Sequence, residues 1–218
     1  MLFIISGIAF ASAMIVFLIV VSIGDEISQA GHTDSAAIHE VIIDNDVMGI
    51  TANMIRFPAQ RFSGNHERVD IYALWPLMSG YSEENKSAFN MGKDSDKVVF
   101  ITLERRSMSK DMAGRVIPIY SQFFEGTAQE TSMGLTSHTL SKKSGYIDED
   151  LYLETDSPYP FATRCIRETS KVSKPFCMRD IFVGRNLTLT YRFHKSLLPE
   201  WANLERMVRK RFNLMLKN

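Results

Sequence analysis

The sequence predicts an α+β protein: an N-terminal transmembrane helix followed by one mainly antiparallel β-sheet domain with a packed C-terminal amphipathic helix. Three observations predict it. No charged residue occurs from Leu2 to Ile23. Leu187, Leu189, Tyr191 and Phe193 alternate with polar side chains, the period of a strand with one face in a core. Trp201, Leu204, Val208, Phe212 and Met215 recur at spacings of three and four, the stripe of an amphipathic helix.

Taken in order, residues 1–23 are predicted as the transmembrane helix. At 1.5 Å per residue the stretch Leu2–Ile23 would be about 33 Å long, enough to cross a hydrocarbon core. Its partner would be the lipid bilayer, through residues 2–23. A cleavable signal peptide competes, with Ser28 and Ala30 as small residues near a cleavage point, but the basic start and short apolar run of such a peptide are missing. Gly7 with Ala11 and Ala9 with Ala13 repeat small residues four apart, the spacing that lets two membrane helices pair closely. The first Lys or Arg is Arg56, whereas Asp25 and Glu26 follow the span directly, so the positive-inside rule places the N-terminus in the cytoplasm and the domain in the periplasm.

Residues 24–37 are small, polar and acidic and read as a juxtamembrane linker. Residues 38–218 then form the soluble domain. Strands are expected at 38–43, 69–75, 97–103, 115–120, 133–140, 146–153 and 160–167, with short helices near 81–90 and 107–113. The runs 176–183 and 186–194 flank Gly184 and Arg185, which suits a two-residue type II′ hairpin. In the closing helix Ser196 is placed as the cap and Pro199 in the first turn.

Cys165 and Cys177, the only cysteines, flank a polar segment, and in an oxidising compartment they would pair across a hairpin. The chain is formally neutral, yet residues 161–218 carry 13 Lys and Arg against 4 Asp and Glu. Nucleic acid is not a partner of a chain exported from the cytosol. Asp44, Asn45, Asp46 and Gly49 open like a calcium loop, but Met48 and Ile55 fall where that loop needs oxygen ligands. The five histidines and two cysteines show no zinc spacing, so no metal and no cofactor is expected. Ser107 and Lys110 form an SxxK and Lys143, Ser144 and Gly145 resemble a KTG, but 36 residues separate the two and no SDN is present.

Three stretches, NMIRFPAQR at 53–61, ERVDIYALWPLMSGYS at 67–82 and GRNLTLTYRFHKSLLPEW at 184–201, together resemble a group of single-pass membrane-anchored proteins of alphaproteobacteria with no established activity. The resemblance covers roughly residues 38–216. It implies a bacterial envelope location and assigns no catalytic residues. The functional expectation is a membrane-tethered extracytoplasmic domain that acts as a binding or accessory module of an envelope assembly, with another membrane or envelope protein as partner. The alternative is a cell-envelope hydrolase or transferase, for which Ser107, Lys110 and His138 are the candidates.

Overall fold

The computed structural model describes Met14 and residues 31–155, 157, 159–168 and 174–217. The first six strands are β1 (Ile38–Ile43), β2 (Asp46–Thr51), β3 (Gly64–Asn65), β4 (Arg68–Leu74), β5 (Val98–Arg105) and β6 (Phe124–Glu130), and side chains alternate cleanly between buried and half-buried in β2. They continue through β7 (Leu135–Leu140), β8 (Glu149–Glu154), β9 (Ala162–Ile166), β10 (Phe176–Val183), β11 (Leu187–His194) and the short β12 (Leu216–Lys217). Eight of these make an antiparallel sheet in the order β4-β5-β11-β10-β9-β8-β7-β6, and four make a second sheet in the order β12-β2-β1-β3.

The α-helices described from residue 31 on are α1 (Lys86–Phe89) and α2 (Trp201–Met215). The expected α+β class is therefore corrected to a mainly β domain. The layer that class assigns to helices is shared here between α2 and the small sheet. Val41, Ile43, Met48 and Ile50 of the small sheet join Leu204, Val208, Phe212 and Met215 of α2 in one buried core with Ile71, Ile101, Leu189 and Ile181 of the large sheet. The opposite face of the large sheet is covered in two places. Met112, Val116 and Tyr120 pack on Leu140, Leu151 and Ala162, and Tyr81 and Ala88 pack on Tyr72 and Val98.

The apolar run 115–120, expected as a strand, is instead a turn between the 3-10 segments Ala113–Arg115 and Tyr120–Phe123, with Val116 and Tyr120, four apart, both packed on the sheet beneath them. The closing helix begins with a 3-10 segment, Lys195–Glu200, and His194 rather than Ser196 caps it, its ring nitrogen accepting from the Ser196 N–H. Residues 31–37, read as linker, are fastened to the domain. The Ala37 and Ser35 carbonyls accept from the Ala52 and Asn53 N–H groups, and the Gly31 carbonyl accepts from Arg61.

Apart from Met14, the expected span 1–23 lies outside the described residues, as do Gly7, Ala9, Ala11 and Ala13. No helix among the described residues is long and apolar enough to cross a membrane. The 15-residue α2 would reach only about 22 Å and carries Arg206, Arg209, Lys210 and Arg211.

The hairpin joining β10 to β11 pairs Val183 with Leu187, so three residues make the turn rather than two. The reason is Asp46, which is buried and whose carboxylate accepts from the Arg185 and Asn186 N–H groups at 3.0–3.2 Å. Gly184 has φ +57°, and a Cβ there would meet the Asp46 Oδ1 at 2.6 Å. Gly184→Ala is expected to lose about 1–2 kcal/mol from the left-handed backbone alone. A lowered urea midpoint with an unchanged slope would show it.

Candidate functional site

The large sheet divides at one seam. β9 and β10 pair only at Cys177 with Cys165 and Met178 with Arg164, while β10 pairs with β11 along its whole length. Cys165 and Cys177 face each other at that seam and are joined by the expected disulfide. Beyond it the two strands part. Arg179, the next inward-facing residue of β10 after Cys177, fills the fork, its Nη1 donating to the Ala162 carbonyl at 2.8 Å.

Arg179 is only 3% exposed, so its charge requires a partner. Glu205 of α2 supplies it: Arg179 Nε donates to Oε2 at 3.1 Å and Nη2 to Oε1 at 3.3 Å. The same carboxylate accepts from the buried Tyr191 hydroxyl and from Arg209 Nε at 2.8 Å. Burial opposes the ionisation of Glu205, yet the charge of Arg179 and the hydrogen bonds from Arg179 and Tyr191 outweigh it and hold the carboxyl below its ordinary range. Burial, and then the neighbouring Glu205 charge, push the Tyr191 hydroxyl well above its ordinary value, so it stays a donor.

Around this cluster an open cleft of about 830 Å³ is bounded by 109–114, Glu154, 159–161, Phe182 and the first half of α2. Phe161 lies under the Arg179 guanidinium at 4.7 Å and against Trp201 at 4.8 Å. Tyr159 at the mouth is 90% exposed. The wall 109–114 is held by Arg115, which reaches across to Asp180 on the other side of β10 and donates to the Lys110 carbonyl at 2.8 Å. The carboxylates in the cleft are engaged within the chain: Glu154 accepts from the Phe161 N–H and Asp111 from the Gly114 N–H.

Of the candidates for acyl chemistry, Lys110 lines the cleft, Ser107 lies exposed just before its wall, and His138 sits on β7 stacked on Phe124 at 4.1 Å. No hydrogen bond among the described residues joins the three. Arg179 and Glu205 are the pair that reading motif by motif passes over. Their signal is present, since Arg179 interrupts the inward row Cys177, Ile181, Val183, and Trp201, Glu205 and Arg209 are spaced four apart.

No family model matches the chain. No curated protein matches it either. Two solved structures share its fold. One is an immunity protein of the Stenotrophomonas maltophilia type IV secretion system, with TM-score 0.58 and 16% identity over 86% of this chain and 96% of that one. The other is FrpD, an iron-regulated outer membrane lipoprotein of Neisseria meningitidis, with TM-score 0.55 and 12% identity over the same shares. These likenesses establish the fold. With an outer membrane lipoprotein among them and no membrane-crossing helix among the described residues, the expected placement as a single-pass inner-membrane protein with a periplasmic domain is withdrawn.

Proposed function

We propose that this chain is an envelope-associated accessory module that binds a segment of a partner protein in the cleft between 109–114 and the first half of α2. The observation that carries this reading is the composition of the cleft. Tyr159, Phe161 and Trp201 surround an ion cluster whose charges are already satisfied within the fold. Aromatic side chains and arginine on a rigid frame are the residues that dominate binding energy in protein interfaces. The covalent hydrolase or transferase that Ser107, Lys110 and His138 would form would instead need a nucleophile within hydrogen-bond reach of a base. The two fold relatives, one an immunity protein of a secretion system and one an outer membrane lipoprotein, support an envelope setting. The resemblance of 53–61, 67–82 and 184–201 to single-pass membrane-anchored proteins of alphaproteobacteria implies the same setting.

A photo-crosslinking amino acid placed at Tyr159 tests the reading in cells, with Ile147 and Leu214, which are also exposed but outside the cleft, as controls. A discrete protein adduct from position 159 alone is expected. Equal adducts from all three positions, or none from 159, would overturn it.

A further inference from the structure

A second surface lies on the face of the large sheet that α2 does not cover. Register places Tyr72, Phe100, Arg192 and Met178 in one row across β4, β5, β11 and β10. Arg192 lies 5.9 Å from the centre of the Phe100 ring and 5.7 Å from that of Phe176. From the β4 side Arg56 lies 4.9 Å from the same Phe100 ring and 4.8 Å from Phe57. The result is a ladder in which phenylalanine and arginine alternate: Phe57, Arg56, Phe100, Arg192, Phe176. Two hollows of about 590 and 220 Å³ open beside it, and both are lined by Val98 and Phe100, so they form one groove.

The charge in this groove is unbalanced. Arg56, Arg192 and Lys174 line it, and none of their side chains has an ion pair or a hydrogen bond among the described residues. Asp96 is the one carboxylate in the lining. Among the described residues six other arginines have a carboxylate partner, including Arg68 with Asp70, Arg115 with Asp180, Arg164 with Glu149 and Arg179 with Glu205. Around the ladder, Met91 is 81%, Phe57 42% and Phe176 37% exposed. Guanidinium groups set beside aromatic rings and without a carboxylate partner can receive carboxylates, while the exposed rings and Met91 offer apolar contact.

We infer that this groove is a second docking surface, for an acidic, apolar-flanked segment of a polypeptide. Charge complementarity selects an acidic occupant, and the exposed apolar side chains select one that carries aliphatic groups between its carboxylates. The surface is separate from the Arg179–Glu205 cleft, and it can be occupied whether or not that cleft is.

The test uses the full-length chain and a fluorescein-labelled, end-capped peptide of glutamates separated by single leucines, followed by anisotropy. The peptide should bind, and weaken as salt is raised through roughly 0.15 M. Arg56→Gln/Arg192→Gln should lose about tenfold or more in affinity, while Arg206→Gln/Lys210→Gln on α2 should bind as the native chain does. Unchanged thermal unfolding of the Arg56 and Arg192 variant separates loss of the surface from loss of the fold. The inference is overturned if the native chain leaves the peptide free, or if the double variant binds it equally well. It is overturned also if a single-stranded oligonucleotide or an anionic lipid vesicle binds the same two arginines more tightly than the peptide.

Discussion

Glu205→Leu is expected to destabilise the domain by about 3–5 kcal/mol, the cost of leaving a buried charge without its counter-ion. The substitution strands the Arg179 guanidinium, 3% exposed, in the fork between β9 and β10 and removes the acceptor of the buried Tyr191 hydroxyl. The Arg179→Met/Glu205→Leu double variant should recover most of the loss, because it removes both charges together. Urea unfolding of the two singles and the double measures the coupling directly. The pH dependence has a defined sign. The Glu205 carboxyl is held below its ordinary range in the fold, so its contribution is complete above the unfolded value of about 4.3 and is lost as pH falls through the folded value. The gap between the native chain and Glu205→Leu should therefore narrow in acid. A gap that is constant with pH would count against an ionised Glu205.

The second large effect is expected at the seam. Cys165 and Cys177 close a loop with a sequence separation of 12, for which loop-closure entropy gives about 2–3 kcal/mol. Cys165→Ala/Cys177→Ala should lose that much globally. It should also act locally, because beside the cystine the described strand pairing at the seam is Met178 with Arg164, supplemented only by the side-chain bonds of Thr163 to the Met178 carbonyl and Arg179 to the Ala162 carbonyl. Faster amide exchange of β9 and of 176–178, with β5 and β11 unaffected, is the expected pattern. Uniform acceleration across the large sheet would show that the cystine acts only through the unfolded chain.

Much of this architecture is legible in the residues. β11 alternates cleanly, α2 shows its stripe, and the cysteines sit opposite each other because the segment between them connects neighbouring antiparallel strands. What is not legible has physical causes. β6 is an edge strand whose side chains are almost all exposed, so no apolar alternation marks it. β2 is masked by its turn, where Asp44 takes a φ of +53° and Asp46 is spent on the Gly184 hairpin, so the acidic cluster resembles a failed metal loop instead of a strand boundary. The run 115–120 is apolar enough for a strand, but its buried residues are spaced for a turn packed on a sheet. The cleft combines residues from 109–114, β10 and α2, and only the fold brings these together. The pointers to it in the sequence are a mid-strand arginine in an apolar row and the four-residue spacing of Trp201, Glu205 and Arg209.

Hydroxyl-radical footprinting of the full-length protein in the cells that make it, compared with the purified chain, tests the binding reading most directly. Tyr159, Pro160 and Trp201 should be protected in cells and reactive in isolation, while Ile147 and Leu214 react alike in both. Equal reactivity of Tyr159 and Trp201 in the two settings, with any protection falling elsewhere on the surface, would contradict the account.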